Sequence, residues 1–395
     1  MKILLINHFP LRGSGSGIYV ADIARSLTKR GHEVCIIMPE NTTKIIKIEN
    51  VKIHPVFFKR NEIIEGSLEF NFPCMDLHPR SSFLFDYMTK EQIQEYDKSF
   101  RTAIEEEIKE FKPDVIHSQH IWILSGLLKD YNIPYVITSH GAEFITYKKT
   151  NTFDNYGFNA IDGCEKVIAI SNDNMEEIIN KFPKAKDKLE FIKNGYNSNE
   201  FFIEDVNKKE ILKKLSIDEE FEKIVLFVGR ISKLKGIDVL LKAAEIYENS
   251  NVLTLIVGDG DYKEELNILK EKLKLKNVVF LGSEEHSELR ELYNISDVLV
   301  LPSRKEALPL VAIEALACGT PAIVTNQSGM DEIINKDVGL IFEMDNEKML
   351  AEKINLILNN KVRFDKNVIA NYAKKNYSEE LLINKLLELY ESVKK

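Results

Sequence analysis

The amino-acid sequence predicts an α/β protein with two parallel sheets, each covered by helices on both faces. Short, continuous apolar runs alternate with longer segments whose apolar residues recur at helical spacing, a pattern typical of parallel strands joined by helices. The alternation stops at a polar stretch near residues 199–220 and then starts afresh. The length of 395 residues suits two or three domains of about 150 residues each, so we expect two sheets of similar size.

The first half of the chain begins with an apolar run at residues 3–6. Apolar residues at helical spacing then predict a helix that Gly31 ends, and a second strand follows at residues 34–38. Residues 41–100 lack a clear period, and we expect an irregular insertion there that leads into a helix near residues 90–109. Further strands are predicted at residues 114–117, 135–138 and 166–170.

The second half repeats the pattern, with strands predicted at residues 223–228, 253–257, 278–282, 298–302 and 321–325. Two successive doubly wound sheets predict two Rossmann-like domains that face a cleft, and such sheets bind ligands at the carboxyl ends of their strands. We expect the N-terminal domain at residues 1–198 and the C-terminal domain at residues 199–377. The last predicted helix, at residues 378–395, is expected to pack back on the N-terminal domain.

Composition and charge argue against several classes of protein. The chain carries 53 lysines and arginines against 62 aspartates and glutamates, a net charge of −9, whereas a general nucleic-acid binder needs a basic surplus. It has no run of about 20 apolar residues that would span a membrane, and its apolar start is too short for a signal peptide. Its four cysteines are scattered without a Cys-x-x-Cys pair, which favours the reducing cytoplasm.

A basic loop follows the first predicted strand of the second half. Gly229 allows a tight approach of the backbone, and Arg230 and Lys235 stand five residues apart before a predicted helix. A planar guanidinium and a compact ammonium could together neutralise a diphosphate without a metal ion. A solvated surface turn is the alternative interpretation of the same residues.

Two glutamates flank a predicted helix start that follows a buried strand. Pro309 suits the first turn of a helix, so the backbone N–H groups from Leu308 to Leu310 would point outward, ready for an anion. Glu306 lies in the preceding loop and Glu314 about one turn inside the helix, a spacing that suits a sugar at one end and a ribose at the other. Two exposed glutamates on an apolar helix are the alternative interpretation.

These motifs together resemble the retaining glycosyltransferases of family 4. The segments that carry the resemblance, in the order and spacing of that family, are "VGRISKLKG", "VGDGDYKEEL", "SDVLVLPSRKEALPLVAIEALACGTPAIV" and "GMDEII". The resemblance covers about residues 1–40 and 114–345, and it includes the Glu-x7-Glu motif of Glu306 and Glu314. It implies the GT-B arrangement of two Rossmann-like domains and a hexosyl transfer, with retention, from a nucleotide-diphosphate sugar, most often a UDP-sugar.

The resemblance also implies roles for individual residues of the donor site. Arg230 and Lys235 match the pair that binds the donor diphosphate. Glu314 matches the carboxylate that binds the ribose hydroxyl groups. Glu306 matches the carboxylate near the donor sugar, which it positions rather than attacks. The backbone and glycine positions that match donor-binding segments are Gly15, Gly17, Gly229, Gly258, Leu308, Pro309 and Leu310.

His140 is the second catalytic candidate, beside Glu306. It stands with Gly141 just after the predicted strand at residues 135–138, and it matches the family histidine beside the reacting sugar. An imidazole there can hold a sugar hydroxyl or shift a proton near pH 7. A structural histidine is the alternative. Ala307 stands where the family often has glycine, and it could narrow the pocket around the donor sugar.

No metal ion or other cofactor is expected. His117 and His120 end a strand and could form a metal pair, but their spacing places no third ligand, and the GT-B resemblance implies chemistry that needs no bound metal. The expected partners are the nucleotide-sugar and a small-molecule, glycan or glycolipid acceptor, with peripheral membrane contact left open.

Two other functions are the alternatives, a sugar-nucleotide epimerase and a catalytically inactive nucleotide-sugar-binding protein. The Glu-x7-Glu helix with Arg230 and Lys235 favours transfer over epimerisation. A dinucleotide oxidoreductase fits poorly, because the glycine-rich loop at residues 13–17 lacks the third glycine of that fingerprint.

Overall fold

The computed structural model describes residues 1–60, 64–76, 78–247, 251–284, 286–306, 309–327 and 329–394. Its contacts divide the chain into two compact units, Met1–Lys193 with Leu382–Lys395, and Asn194–Leu381. The chain enters the second unit at Asn194 rather than near residue 199, because Tyr196 is already tied to that unit. The Tyr196 N–H donates to the carbonyl of Tyr377 at 2.9 Å, and the Tyr196 carbonyl accepts from the N–H of Glu379 at 3.0 Å.

The first unit is built around a parallel sheet. Its strands are β1 (Lys2–Ile6), β2 (Glu33–Glu40), β3 (Val51–Phe57), β4 (Val115–Gln119), β5 (Tyr135–Thr138), β6 (Lys166–Ala169) and β7 (Leu189–Phe191). Among the described residues the sheet has seven strands, in the order β3-β2-β1-β4-β5-β6-β7. The helices are α1 (Gly15–Lys29), α2 (Lys90–Glu110), α3 (Ile123–Leu127), α4 (Glu143–Tyr147), α5 (Asp154–Gly163) and α6 (Asn172–Lys181).

The second unit holds the other parallel sheet. Its strands are β8 (Lys223–Val228), β9 (Val252–Val257), β10 (Val278–Gly282), β11 (Val298–Leu301), β12 (Ala322–Thr325) and β13 (Gly339–Phe342). As far as the structure describes this unit, the order is β10-β9-β8-β11-β12-β13. The helices are α7 (Lys208–Lys214), α8 (Ile237–Tyr247), α9 (Lys263–Lys272), α10 (His286–Ile295), α11 (Leu310–Ala317), α12 (Glu347–Leu358) and α13 (Lys366–Tyr377).

The last helix, α14 (Glu379–Val393), packs on the first unit. Its apolar face lies in one buried cluster with side chains of α1, β1 and β2, and the buried members from α14 are Leu382, Ile383, Leu386, Leu389 and Tyr390. The end of the chain therefore completes one helix layer of the N-terminal sheet. No helix among the described residues is long and apolar enough to cross a bilayer.

The segment at residues 41–100 is more regular than its sequence suggests. It contains β3, an edge strand that pairs in parallel with β2 along its whole length. Only Val56 of this strand is buried, because the strand lies at the sheet edge, and Pro55 is tolerated at such a place. The helix expected near residues 90–109 is present as α2, and Thr89 starts it with a capping box to Gln92.

Candidate active site

The basic loop of the second unit is shaped by close backbone contacts at its glycines. After β8 the chain makes a short 3-10 turn, Lys233–Lys235, which ends at Gly236 with a left-handed φ of +66°. A Cβ at Gly236 would lie 1.9 Å from the carbonyl oxygen of Pro302, so only glycine fits there. The loop after β8 is thereby pressed against the loop after β11.

Gly229 and Gly258 lie at the ends of the neighbouring strands β8 and β9. A Cβ at Gly258 would stand 1.9 Å from the carbonyl oxygen of Gly229, and the φ of Gly258 is +132°. The N–H of Ile231 donates to the carbonyl of Asp259 at 2.9 Å, which ties the two loops together further on. The two loops therefore approach closely at Gly258, and the donor-binding role of the two glycines stays a prediction.

Lys235 and Glu306 form an ion pair. The Lys235 ammonium donates to both carboxylate oxygens of Glu306, at 2.6 Å and 2.5 Å. Their side chains are 23% and 18% exposed, so solvent screens this pair less than it would a surface pair. The sequence interpretation gave Lys235 to the diphosphate and Glu306 to the sugar, and the structure places the two groups in contact. Arg230 is exposed on the same loop, five residues before Lys235.

A small cavity lies beside this ion pair. Its volume is about 190 Å³, below the roughly 300–1,000 Å³ of pockets that bury a whole drug-sized ligand, so it can hold only part of a nucleotide-sugar. The residues that line it come from the ends of β8 and β11 and the start of α11, and they include Gly229, Lys235, Ser303, Glu306, Pro309 and Leu310. Of the residues predicted from the two motifs, Gly229, Lys235, Glu306, Pro309 and Leu310 therefore line this cavity, whereas Arg230 and Glu314 do not.

Helix α11 begins without a side-chain cap. Pro309 was expected in the first turn of this helix, but its ψ of +103° is extended, so it is the N-cap residue and the helix begins at Leu310. Proline has no side-chain oxygen to accept from the first N–H groups, which leaves them available to an anion in the cavity. Leu308 and Ala307, which the sequence interpretation also placed here, lie outside the described residues.

Glu314 lies one turn inside α11, half-buried. Its Oε2 accepts from the hydroxyl of the buried Tyr293 at 3.0 Å. Burial raises the pKa of Tyr293 well above its usual value, and the Glu314 carboxylate raises it further, so the hydroxyl keeps its proton and holds the carboxylate in place. Sequence reasoning missed Tyr293, since it stands 21 residues away on α10.

Arg304 is a second residue of this region that sequence reasoning missed. Its guanidinium binds both oxygens of Asp238, at 2.9 Å and 2.8 Å, and Asp345 at 2.7 Å. It also donates to the carbonyl of Lys233 at 2.5 Å, within the turn that carries Lys235. Arg304 therefore positions the basic loop rather than facing a ligand. The sequence signal that could have indicated Arg304 is the presence of an arginine in the short loop between β11 and Glu306.

The glycine-rich stretch of the first unit is the start of a helix rather than an open loop. Gly15 and Gly17 belong to the first turn of α1, and the Ser14 hydroxyl caps it by accepting from the N–H of Gly17 at 3.1 Å. A Cβ at Gly17 would lie 2.1 Å from the carbonyl oxygen of Pro10, whereas a Cβ at Gly15 would meet nothing within 4 Å. Gly17 is thus required for packing, and Gly15 faces open space.

This contrast predicts different effects on stability for two matched substitutions. We expect Gly17→Ala to lower the free energy of unfolding by about 1–3 kcal/mol, because the added methyl group must displace backbone atoms. We expect Gly15→Ala to leave it unchanged or to raise it slightly, since alanine favours a helix over glycine by about 1 kcal/mol. Urea unfolding of both variants measures the difference. Equal destabilisation by the two substitutions would contradict this description of the turn.

His140 follows β5 in the first unit and is half-buried. Its Nε2 donates to Oε1 of Gln119 at 2.9 Å, which leaves Nδ1 as an acceptor. Burial lowers the pKa of His140 well below its usual value, and the charge of His120 lowers it further, while Glu143 raises it. The imidazole is therefore neutral near pH 7 and suited to hold a hydroxyl group. The ring of Tyr19 packs edge-on against it at 5.1 Å.

His117 and His120 have partners other than a metal. His117 is buried between the hydroxyl groups of Tyr390, at 2.6 Å from Nδ1, and Thr138, at 2.7 Å from Nε2. Burial lowers the pKa of His117 to about 3, so it joins α14 to the sheet as a neutral ring. Within the described part of the chain, no group of three or more His, Cys, Asp or Glu residues is arranged to hold a metal ion.

His120 forms a buried pair with Glu143, a residue that sequence reasoning missed. Nδ1 of His120 lies 2.9 Å from Oε2 of Glu143, and the hydroxyl of Ser139 donates to Oε1 at 2.7 Å. Burial raises the pKa of Glu143, but His120, together with hydrogen bonds from Ser139 and the backbone, outweighs burial and lowers the pKa to about 2. The His120 ring lies 4.9 Å from the His140 ring, so the pair supports the candidate catalytic histidine.

Both halves of the chain match families of known proteins. Residues 13–200 match the family described as Glycosyltransferase Family 4, and residues 207–376 match the family described as Glycosyl transferases group 1. The chain belongs to the family 4 glycosyltransferases. The resemblance carried by the motifs of the sequence is therefore confirmed.

Individual relatives of this glycosyltransferase agree with that assignment. An uncharacterized glycosyltransferase of Methanocaldococcus jannaschii is 35% identical over 244 residues, which cover 58% of this chain and 62% of that protein. The N-acetyl-alpha-D-glucosaminyl L-malate synthase of Bacillus anthracis is 24% identical over 397 residues, which cover 100% of this chain and 97% of that protein.

Solved structures agree on the fold of this glycosyltransferase. The crystal structure of HepE from Anabaena in complex with UDP matches with a TM-score of 0.77 at 17% identity, over 99% of this chain and 100% of that chain. Together with the two parallel sheets, this similarity shows the GT-B fold of two Rossmann-like domains that the sequence predicted.

Proposed function

We propose that this glycosyltransferase moves a hexosyl group from a UDP-sugar to a hydroxyl of a small-molecule, glycan or glycolipid acceptor, with retention of the anomeric configuration. The observation that carries the proposal is the meeting of Lys235, Glu306 and the uncapped start of α11 around one cavity. A cation and free N–H groups beside a carboxylate suit a diphosphate joined to a sugar. The UDP bound by the structurally similar HepE supports the choice of nucleotide.

The diphosphate is assigned to the cations and the helix start. As the bond to the sugar breaks, negative charge develops on the departing diphosphate, and preorganised donors stabilise it in the transition state. Lys235 and Arg230 supply fixed positive charges, and the N–H groups of Leu310 and Val311 add partial ones. We therefore propose that these groups replace the divalent cation that stabilises such charge elsewhere, so that no metal ion is required.

The ribose is assigned to Glu314. A carboxylate can accept from two neighbouring hydroxyl groups, and Tyr293 fixes its orientation through the hydrogen bond at 3.0 Å. This contact changes little during the reaction, so it contributes to binding in the ground state and the transition state alike.

The transferred sugar is assigned to Glu306, whose carboxylate can accept from hydroxyl groups of the sugar. For His140, in the other unit, the family resemblance implies a contact with the reacting sugar, and its neutral ring has Nδ1 available to accept from a hydroxyl group. The anomeric carbon becomes oxocarbenium-like as the diphosphate leaves, and the acceptor hydroxyl attacks from the same face. The leaving phosphate oxygen takes the acceptor's proton, so that neither side chain has to act as a nucleophile.

The four cysteines are buried free thiols, which supports an activity in the reducing cytoplasm.

A ligand panel followed by product analysis tests this function. We expect a UDP-sugar to raise the melting temperature more than GDP- or ADP-sugars, because a ligand that binds only the folded state stabilises it by mass action. The enzyme is expected to hydrolyse that donor slowly. Proton NMR recorded before mutarotation is expected to show first the free sugar with the anomeric configuration of the donor. Both results are expected to persist in EDTA. First appearance of the opposite anomer, or activity restored only by Mg²⁺ or Mn²⁺, would overturn the corresponding part of the proposal.

A further inference from the structure

A second and larger cavity lies in the C-terminal unit, at the edge of the sheet where its strands begin. Its volume is about 600 Å³, within the range of pockets that bind small molecules. Four cationic side chains and one carboxylate line it, namely Lys208, Lys223, Arg363, Lys366 and Asp297. The lining therefore carries an excess of three positive charges in a chain whose net charge is −9.

The single carboxylate is already engaged. Asp297 lies 2.8 Å from the ammonium of Lys223 and 3.9 Å from that of Lys208, and it accepts from the N–H of Ile224 at 2.8 Å. None of the ion pairs formed between described residues includes Arg363 or Lys366, and both side chains are exposed at the rim. Two of the four cations are thus left without a neutralising carboxylate.

The pKa of Lys208 reflects the positive charges that surround it in this cavity. Burial lowers the pKa of its ammonium, and although Asp297 raises it, the charges of Lys223 and Lys366 lower it again. One of its protons is donated to the carbonyl of Glu222 at 2.9 Å. A bound anion would relieve the mutual repulsion of these cations, which costs more in a partly buried site than at an open surface.

Close packing of the backbone brings the cationic side chains together, but the start of α13 does not itself provide the anion site. Gly319, with a φ of +78°, lines the cavity, and a Cβ there would lie 2.9 Å from Cβ of Lys366, so the first turn of α13 approaches closely. The start of α13 is capped by Asp365, which accepts from the N–H groups of Asn367 at 2.8 Å and Val368 at 3.2 Å. The positive charge of this cavity is therefore that of its side chains.

The cavity is distinct from the proposed donor site. Lys223 is the first residue of β8, whereas Gly229 follows the last residue of that strand and lines the donor cavity. A six-residue strand spans about 20 Å, so the two cavities lie at opposite edges of one sheet. A ligand in one cannot use the charged groups of the other.

We propose that this cavity binds a small phosphorylated metabolite through a phosphate monoester held by Lys208, Lys223, Arg363 and Lys366. An arginine fork and several ammonium groups match the geometry and the double negative charge of such a group. The volume leaves room for the part of the molecule that carries the phosphate. This site goes beyond the proposed transfer and does not depend on it.

Calorimetric titration of the full chain with glucose 6-phosphate tests the site, with glucose as the neutral control. We expect glucose 6-phosphate to bind, and Arg363→Ala/Lys366→Ala to weaken binding by roughly tenfold or more, since two rim cations are lost. The matched control, Lys374→Ala/Lys375→Ala, removes two exposed lysines from the far end of the same helix and is expected to bind normally. Lys235→Ala, which alters only the donor cavity, is expected to keep the binding as well.

The outcomes distinguish binding in this cavity from binding in the donor cavity and from binding to a lipid surface. Absence of glucose 6-phosphate binding overturns the proposal, and so does binding that Lys235→Ala abolishes while the rim double variant retains it. Co-sedimentation with phosphatidylglycerol vesicles distinguishes a lipid phosphate from a free one. If the protein does not bind glucose 6-phosphate but binds the vesicles only when Arg363 and Lys366 are present, the ligand is a lipid headgroup. That result would overturn the proposed small metabolite. Binding of glucose 6-phosphate without vesicle binding supports the proposal.

Discussion

Replacing Lys235 by alanine is expected to weaken UDP binding by roughly ten- to a hundredfold, the effect of losing a hydrogen bond to a charged group. The structure adds a second cause. The carboxylate of Glu306 lies within 2.6 Å of the Lys235 ammonium, so removal of the lysine leaves that carboxylate unpaired beside the proposed diphosphate position. Lost attraction and new repulsion therefore act in the same direction.

A double-mutant cycle separates these two causes. Glu306→Gln, added to Lys235→Ala, removes the repulsive charge and is expected to recover part of the lost UDP affinity. Lys233→Ala is the matched control, because Lys233 lies in the same turn with an exposed side chain, and UDP affinity is expected to stay unchanged. Calorimetric titration with UDP measures the wild type, Lys235→Ala, Glu306→Gln, the double variant and Lys233→Ala. Unchanged UDP affinity in Lys235→Ala would show that this lysine does not hold the diphosphate.

The contact between Lys235 and Glu306 illustrates what the sequence could and could not predict. Each residue was recognised from its own loop, because a basic residue after a strand and a carboxylate before a helix are local patterns. The two are 71 positions apart, and they meet because β8 and β11 are neighbours in the sheet. Strand order is a long-range property that periodicity does not contain. Arg304 and Tyr293 escaped notice for the same reason.

Local patterns also misled where tertiary packing decides the outcome. Strand β3 is half-exposed at the sheet edge, so it lacks the continuous apolar run that predicted the central strands. The glycines near the start of the chain suggested an open loop, yet Ser14 caps a helix that includes Gly15 and Gly17. His117, for which no metal was expected, is buried between the hydroxyl groups of Tyr390 and Thr138, and these long-range partners are not visible in its local sequence.

Glu306→Gln is expected to separate donor binding from catalysis. The amide keeps the shape of the side chain and removes the charge that pairs with Lys235. Lys235 is then freed for the diphosphate, so UDP alone is expected to bind as tightly as in the wild type or more tightly. If the carboxylate positions the transferred sugar as its charge develops, kcat is expected to fall by about a hundredfold or more.

Two measurements on this variant decide between positioning of the sugar and a structural ion pair. Steady-state kinetics with the UDP-sugar gives kcat, and calorimetric titration gives the affinity for UDP, with Lys305→Ala as the control at the exposed neighbouring position. A fall in kcat with retained UDP affinity is the signature of an interaction made mainly in the transition state. A loss of UDP affinity would instead mean that Glu306 holds Lys235 in place for the diphosphate. A near-normal kcat would remove Glu306 from the reaction, and the family assignment would stand, because it rests on both halves of the chain.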